Sequence, residues 1–252
     1  MAQAGEPSVW STDERHWVVC SPRLAARLVM SQSMDSQYAG TGYLALPEGG
    51  SGPGILVLHA WWGLTEHVRH VCDQLAREGY VALAPDLFEG RLETEIEAAE
   101  KRLRDADANA LAHLVRSSLA TLRSMVHTPD GPVGLLGWSM GASMALWLAA
   151  RVPDDVAATA VYYGSQDIDM EDARCAFLGH YAETDPYVDE DGLVLLESEL
   201  HLDGMEVEFH RYPGTSHWFA EPDRPEHDHH AAALAWDRTL DFFESYLPPG
   251  GA

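Results

Sequence analysis

Val133-Gly134-Leu135-Leu136-Gly137-Trp138-Ser139-Met140-Gly141-Ala142-Ser143-Met144-Ala145-Leu146 is the stretch whose reading decides the fold of this chain. Its first residues, Val133–Leu136, form a short apolar run, as a strand buried on both faces would. From Met140 to Ala150 the chain is nearly all apolar and reads as a helix. Between the two lies Gly137-Trp138-Ser139-Met140-Gly141, a G-x-S-x-G pentapeptide in the strand-to-helix context that a nucleophile elbow requires. A serine in that turn is strained, and small residues on either side of it let the backbones pass. Ala142 keeps the following position small as well.

The same alternation extends outward in both directions. Gly42–Leu46 reads as a strand, closed by Pro47 and the loop Gly49–Gly54. Ile55–Leu58 is a second buried strand. Thr65 can cap a helix whose apolar positions Val68, Val71, Cys72, Leu75 and Ala76 share one face, and Gly79 ends it. Tyr80–Ala84 is the next strand, followed by one long helical stretch from about Glu93 to Val126. Val156–Tyr162 and Ala176–Leu178 are further strands. Asp189 caps a helix that turns Leu193, Leu196 and Leu200 inward. Val207–Tyr212 is the last strand, and the closing helix runs from about His230 to Leu247. Strands alternating with helices predict an α/β domain, a mainly parallel central sheet with helices on both faces. Ligands bind such sheets at the carboxyl ends of the strands. Residues 37–252 are expected to form this one domain. Residues 1–36 are expected to be an N-terminal extension, and Met34 is a candidate for the true start.

Composition excludes several function classes. The chain has 252 residues, 46% of them hydrophobic, which suffices for a full core and argues against disorder. Lys and Arg number 16 against 40 Asp and Glu, a formal charge of −24. Phosphate backbones and anionic membrane surfaces need cations, so no nucleic acid and no membrane partner is expected. No apolar run reaches the roughly 18 residues of a membrane span. No signal peptide is visible, and a cytoplasmic location is expected. The three cysteines, Cys20, Cys72 and Cys175, are too sparse for a disulfide framework or a zinc pair. His227, Asp228, His229 and His230 read as a solvated helix start, so no metal site is expected. Asp167, Asp169, Glu171 and Asp172 read as a solvated turn.

A serine needs a base to take its proton and an acid to orient the base. Behind an elbow the partners follow in the order acid, then histidine. Asp185 fits as the acid, beyond Ala176–Leu178, with Glu183 in reserve. His217 fits as the base, beyond Val207–Tyr212, whereas His210 falls inside the strand. The oxyanion hole is expected from the backbone N–H groups of Met140 and of Trp61 in the loop His59-Ala60-Trp61-Trp62-Gly63. His59 itself is expected to hydrogen-bond beneath that loop. Trp62, Phe88, Trp138 and Trp218 crowd the same edge and are candidates for an apolar substrate wall. Trp147 and Trp236 read as core.

These blocks together resemble the dienelactone hydrolase family of α/β-hydrolases. The residues that carry the resemblance are Leu58–Leu64, Gly79–Phe88, the elbow, Gly179–Asp185 and Gly214–Phe219, within about residues 37–247. The resemblance implies the α/β-hydrolase fold and hydrolytic chemistry. Well-known members use cysteine where this chain has Ser139, and place glutamate where it has Ala60. They also hold a substrate carboxylate with two arginines, where this chain has Gly90, with Arg91 next to it, and Glu221. Glycine and glutamate cannot make a bidentate contact to a carboxylate.

The expected protein is therefore a serine hydrolase that cleaves an ester, lactone or thioester of a small, uncharged molecule without a cofactor, as a monomer or homodimer. A same-fold cyclase or lyase and a binding protein without catalysis are the alternatives. Glu221 is expected to carry the general acidity to the pocket rim and to repel anionic substrates, a repulsion that salt would relieve.

Overall fold

A computed structural model describes residues 37–38, 42–125, 127–128, 130–165 and 168–249. The N-terminal extension, Met34, Cys20 and Asp167 lie outside the described residues.

The strands are β1 (Gln37–Tyr38), β2 (Gly42–Ala45), β3 (Gly54–Leu58), β4 (Val81–Pro85), β5 (Val133–Trp138), β6 (Val156–Tyr162), β7 (Ala176–Thr184) and β8 (Val207–Ser216). They form one sheet in the order β1-β2-β4-β3-β5-β6-β7-β8. β1 and β2 are antiparallel to their neighbours, and every pair from β4 to β8 is parallel. The helices are α1 (Glu66–Arg77), α2 (Ile96–Asp105), α3 (Ala108–Ser124), α4 (Met140–Arg151), α5 (Glu190–Leu202) and α6 (His229–Tyr246). After β3 the chain winds to β4 on one side, then returns to β5 on the other. Right-handed crossovers therefore place α1 on one face and α3 and α4 on the opposite one. α1 packs on β2 and β4, α3 on β3 and β4, and α4 on β3, β5 and β6. The reversal puts a topological switch point at the carboxyl ends of β3 and β5, where ligands bind in such sheets.

Central strands β3, β4 and β5 are buried at every position, which is why they are continuous apolar runs rather than alternating ones. Three elements near the site differ from the sequence reading. The single helix expected over 93–126 is two helices. Ala106 leaves the helical region (ψ 143°), and the Asp107 carboxylate accepts from the amides of Asn109 and Ala110, starting α3 afresh. β7 and β8 also run past their expected ends at Leu178 and Tyr212. β8 is the edge strand of the sheet, where Pro213 is tolerated. As a result Asp185 and His217 follow strand ends directly.

Candidate active site

The elbow is built as its glycines require. Ser139 has φ 50° and ψ −116°, a strained conformation for a residue other than glycine. Its amide is tied to the Tyr162 carbonyl at 2.9 Å. A Cβ on Gly137 would collide with the Gly141 carbonyl, and a Cβ on Gly141 would collide with the carbonyl of Leu58. Both glycines therefore let β5, α4 and β3 approach closely. Met140 opens α4, so its amide is one of the N–H groups that a helix leaves without an intrahelical partner.

His217, at the end of β8, joins residues from three strand ends. Its Nε2 lies 2.9 Å from Ser139 Oγ, and its Nδ1 lies 2.7 Å from Asp185 Oδ2. The remaining carboxylate oxygen, Asp185 Oδ1, accepts from the amides of Tyr187 (2.9 Å) and Val188 (3.2 Å). An acceptor-only carboxylate at Nδ1 puts the imidazole proton there. Nε2 is then free to accept from the serine hydroxyl. Glu183 and His210 are not part of this cluster. Glu183 accepts from the Gly214 amide, and His210 pairs with Glu208.

His59 is fully buried at the end of β3. Its Nε2 accepts from the Leu87 amide at 3.1 Å, and its Nδ1 lies 2.7 Å from the Ala60 carbonyl. Both bonds are met by a neutral ring protonated at Nδ1, and burial lowers its pKa to about 4. His59 therefore ties the Trp61 loop to the exit of β4.

Of the expected aromatic wall, Trp62, Phe88, Trp138 and Trp218 are all buried. Trp138 stacks on Tyr162, centroids 5.2 Å apart. Trp62 carries the Arg224 guanidinium over its ring at 3.8 Å. Among the described residues, the indole N–H groups of Trp61, Trp62, Trp138 and Trp218 are buried without a hydrogen-bond partner, so ring packing holds them. Phe88 packs on His59 and lines a cavity of about 540 Å³ with Leu87, Arg91, Arg102 and Leu111. Neither Ser139 nor His217 lines that cavity.

Three residues near His217 had no role in the sequence reading, or a different one. Tyr187 is 43% exposed and rests on the rings of His217 (4.8 Å), Trp61 (5.4 Å) and Trp218 (5.3 Å). Tyr163 is fully buried against His217, also at 4.8 Å. Glu221 corrects an expectation. It is only 3% exposed, so it is not at a solvent-facing rim. Its Oε1 accepts from the Tyr163 hydroxyl at 3.0 Å. Burial, then the nearby Asp223, push its pKa up to about 8, which favours the uncharged form near neutrality.

Cys72 and Cys175 are buried, and desolvation raises both thiols, Cys175 to about 12. Neither is an activated nucleophile. Asp228 caps α6 by accepting from the Ala231 amide. No group of three or more metal-ligating side chains occurs among the described residues. No helix among them is long and apolar enough to cross a membrane.

Sheet order and elbow together define the class, an α/β hydrolase. The chain belongs to the dienelactone hydrolase family, whose sequence model matches residues 41–247. It is 31% identical over 216 residues to Protein usf of Aquifex pyrophilus, covering 82% of this chain and 93% of that one. It is also 31% identical over 223 residues to a carboxymethylenebutenolidase of Rhodococcus opacus, covering 81% and 85%. A dienelactone hydrolase-like promiscuous phosphotriesterase from metagenomic libraries superposes with a TM-score of 0.72 at 21% identity, covering 86% of this chain and 98% of that one. The last likeness is one of fold.

Proposed function

We propose that the protein is a carboxylic ester hydrolase that cleaves an ester, lactone or thioester of a small, uncharged molecule through a Ser139–His217–Asp185 triad. One observation carries this reading. A single imidazole lies within hydrogen-bond reach of both a strained elbow serine and a carboxylate that is itself held by two amides. In this scheme Ser139 Oγ attacks the carbonyl carbon while His217 Nε2 takes its proton. Asp185 stabilises the imidazolium, and the Met140 and Trp61 amides receive the oxyanion. The imidazolium then protonates the leaving alcohol or thiol. Water, activated by the same histidine, releases the acid and restores Ser139. Side chains and water complete the cycle, so the scheme draws on no cofactor.

A fluorophosphonate probe tests the nucleophile directly. Incubation is expected to add one phosphonyl group, mapped by peptide mass spectrometry to Ser139. Adducts on Cys72 or Cys175, or none at all, would defeat the reading.

Substrate charge is the second point. No arginine occupies position 90 or 221, so the carboxylate clamp of the family's well-known members has no counterpart at those positions. In a panel of p-nitrophenyl esters matched in length, neutral acyl groups are expected to give the higher kcat/KM, and ω-carboxylate acyl groups the lower. With its pKa raised by burial, Glu221 adds little charge to this preference near neutrality. Any part that salt relieves must come from the exposed acidic surface. The reverse ranking would mean that other cations, such as Arg91, receive the carboxylate.

A further inference from the structure

Two hydrogen bonds hold His217, one at each ring nitrogen. They leave the imidazole free to swing about the line joining its two partners, so something must press on the ring. Three aromatic rings do so. Trp218, at 4.9 Å, is its own chain neighbour, and Tyr187 is part-exposed on a loop. Tyr163 is fully buried and distant in sequence, and it is fixed at its backbone, its ring and its hydroxyl. Its φ is +38°, a left-handed conformation that persists only where the surroundings impose it. Its amide donates to the His180 carbonyl at 2.8 Å. Its ring packs on Phe219 at 5.4 Å, and its hydroxyl donates to Glu221. The next residue, Gly164, must be glycine, because a Cβ there would collide with Ala142 and approach the Ser139 carbonyl at 2.6 Å.

Glu221 lies in the turn that carries His217. That turn is closed by Phe219 N–H to the Ser216 carbonyl and Glu221 N–H to the Trp218 carbonyl, with Trp218 itself at φ +68°. The Tyr163–Glu221 bond thus clamps the histidine-bearing turn onto the end of β6, beside the elbow. A phenylalanine facing a leucine would fill the same space with no carboxyl to desolvate.

We propose that Tyr163 and Glu221 form a positioning pair for His217, with the Glu221 carboxyl holding the tyrosine ring against the imidazole in register with Ser139. This role rests on the triad reading above. The groups facing the carboxyl set its response to pH. Asp223 and Glu226 oppose its ionisation, while Arg224 and the Tyr163 hydroxyl favour it. Ionisation above about pH 8 leaves a buried charge that desolvation and Asp223 oppose more than the Tyr163 bond favours it, and this strains the turn that carries His217.

Tyr163→Phe, Glu221→Ala and Glu221→Gln test the pair by kcat, KM and pH profile on one neutral ester. Tyr163→Phe and Glu221→Ala are expected to lower kcat about ten- to a hundredfold with KM little changed, the mark of a misplaced general base. Glu221→Gln keeps an acceptor and is expected to recover most of what Glu221→Ala loses. The wild type is expected to lose kcat as Glu221 ionises near pH 8, and Glu221→Gln is expected to abolish that loss. Stability gives an independent readout. Between the ordinary carboxyl pKa near 4.5 and about 8, the folded state binds the extra proton, so unfolding free energy falls as pH rises, and Glu221→Gln flattens that slope.

Wild-type kcat in Tyr163→Phe would overturn the pair, as would an alkaline limb unchanged in Glu221→Gln. If Tyr163→Phe fails to fold, the Glu221→Gln profile decides alone. Fluorophosphonate labelling separates the two levels. Labelled Ser139 with unaffected variants sinks the positioning role only, whereas unlabelled Ser139 sinks the triad and the pair with it.

Discussion

Ser139→Ala is expected to lower kcat/KM for p-nitrophenyl acetate by roughly 10⁴- to 10⁶-fold, the loss that follows when a triad nucleophile is removed. The size follows from the geometry. Ser139 Oγ lies 2.9 Å from His217 Nε2, and the elbow glycines permit the close backbone approach that holds it there. What remains in the variant is the pair of amides, which can still stabilise an oxyanion formed by water. That residue of activity sets the floor. The fold should survive, because alanine at φ 50° is strained about as much as serine, and the Ser139 amide keeps its bond to Tyr162. Initial rates on purified variant, with matched melting curves, check the expectation. Activity within tenfold of the wild type would place the nucleophile elsewhere.

Asp185→Asn is expected to cost about 10⁴-fold in kcat, the scale that a wrong imidazole tautomer imposes. Here the surroundings dictate how an asparagine must lie. Tyr187 and Val188 both present N–H groups to Oδ1, so the amide oxygen takes that position. The NH₂ group is thereby turned toward His217 Nδ1. Two donors cannot face each other, so the imidazole moves its proton to Nε2, where it can no longer accept from Ser139. Asp185→Ala removes this enforced error and leaves the ring to choose its tautomer. It should therefore be no worse than Asp185→Asn, despite the larger deletion. Kinetics of the two variants side by side read the difference. Near-wild-type turnover in Asp185→Asn would remove Asp185 from the mechanism.

The parts of the site that repeat a local rule were legible in the sequence. Gly137 and Gly141 flank Ser139 at spacings fixed by backbone collision. Asp185 follows the apolar run Ala176-Phe177-Leu178, and His217 follows Val207–Tyr212, where Val207 and Phe209 alternate with Glu208 and His210. Asp189 was readable for the same reason, since a cap precedes its helix. The break at Asp107 was not, because Asp105, Ala106 and Asp107 lie within an unbroken helical period and a capping carboxylate looks like a surface one. Tyr163 and Glu221 lie 58 residues apart, and nothing local marks either as buried. Glu221 drew notice only as a charge, and burial removes most of that charge at neutral pH. Tyr187 follows Pro186 in what reads as an ordinary turn. Its place over His217 comes from the Asp185 carboxylate that captures its amide.

The edge position of β8 has a bearing on how the enzyme comes into being. His217 lies 78 residues beyond Ser139 and 32 beyond Asp185, on the outermost strand of the sheet. Such distant pairings close late, since the entropy of the intervening loops must be offset first. A ribosome-bound chain that has folded only through β6 already presents its elbow serine, yet it has no base to activate it. In the proposed triad, hydrolysis therefore waits for the docking of the strand that carries His217.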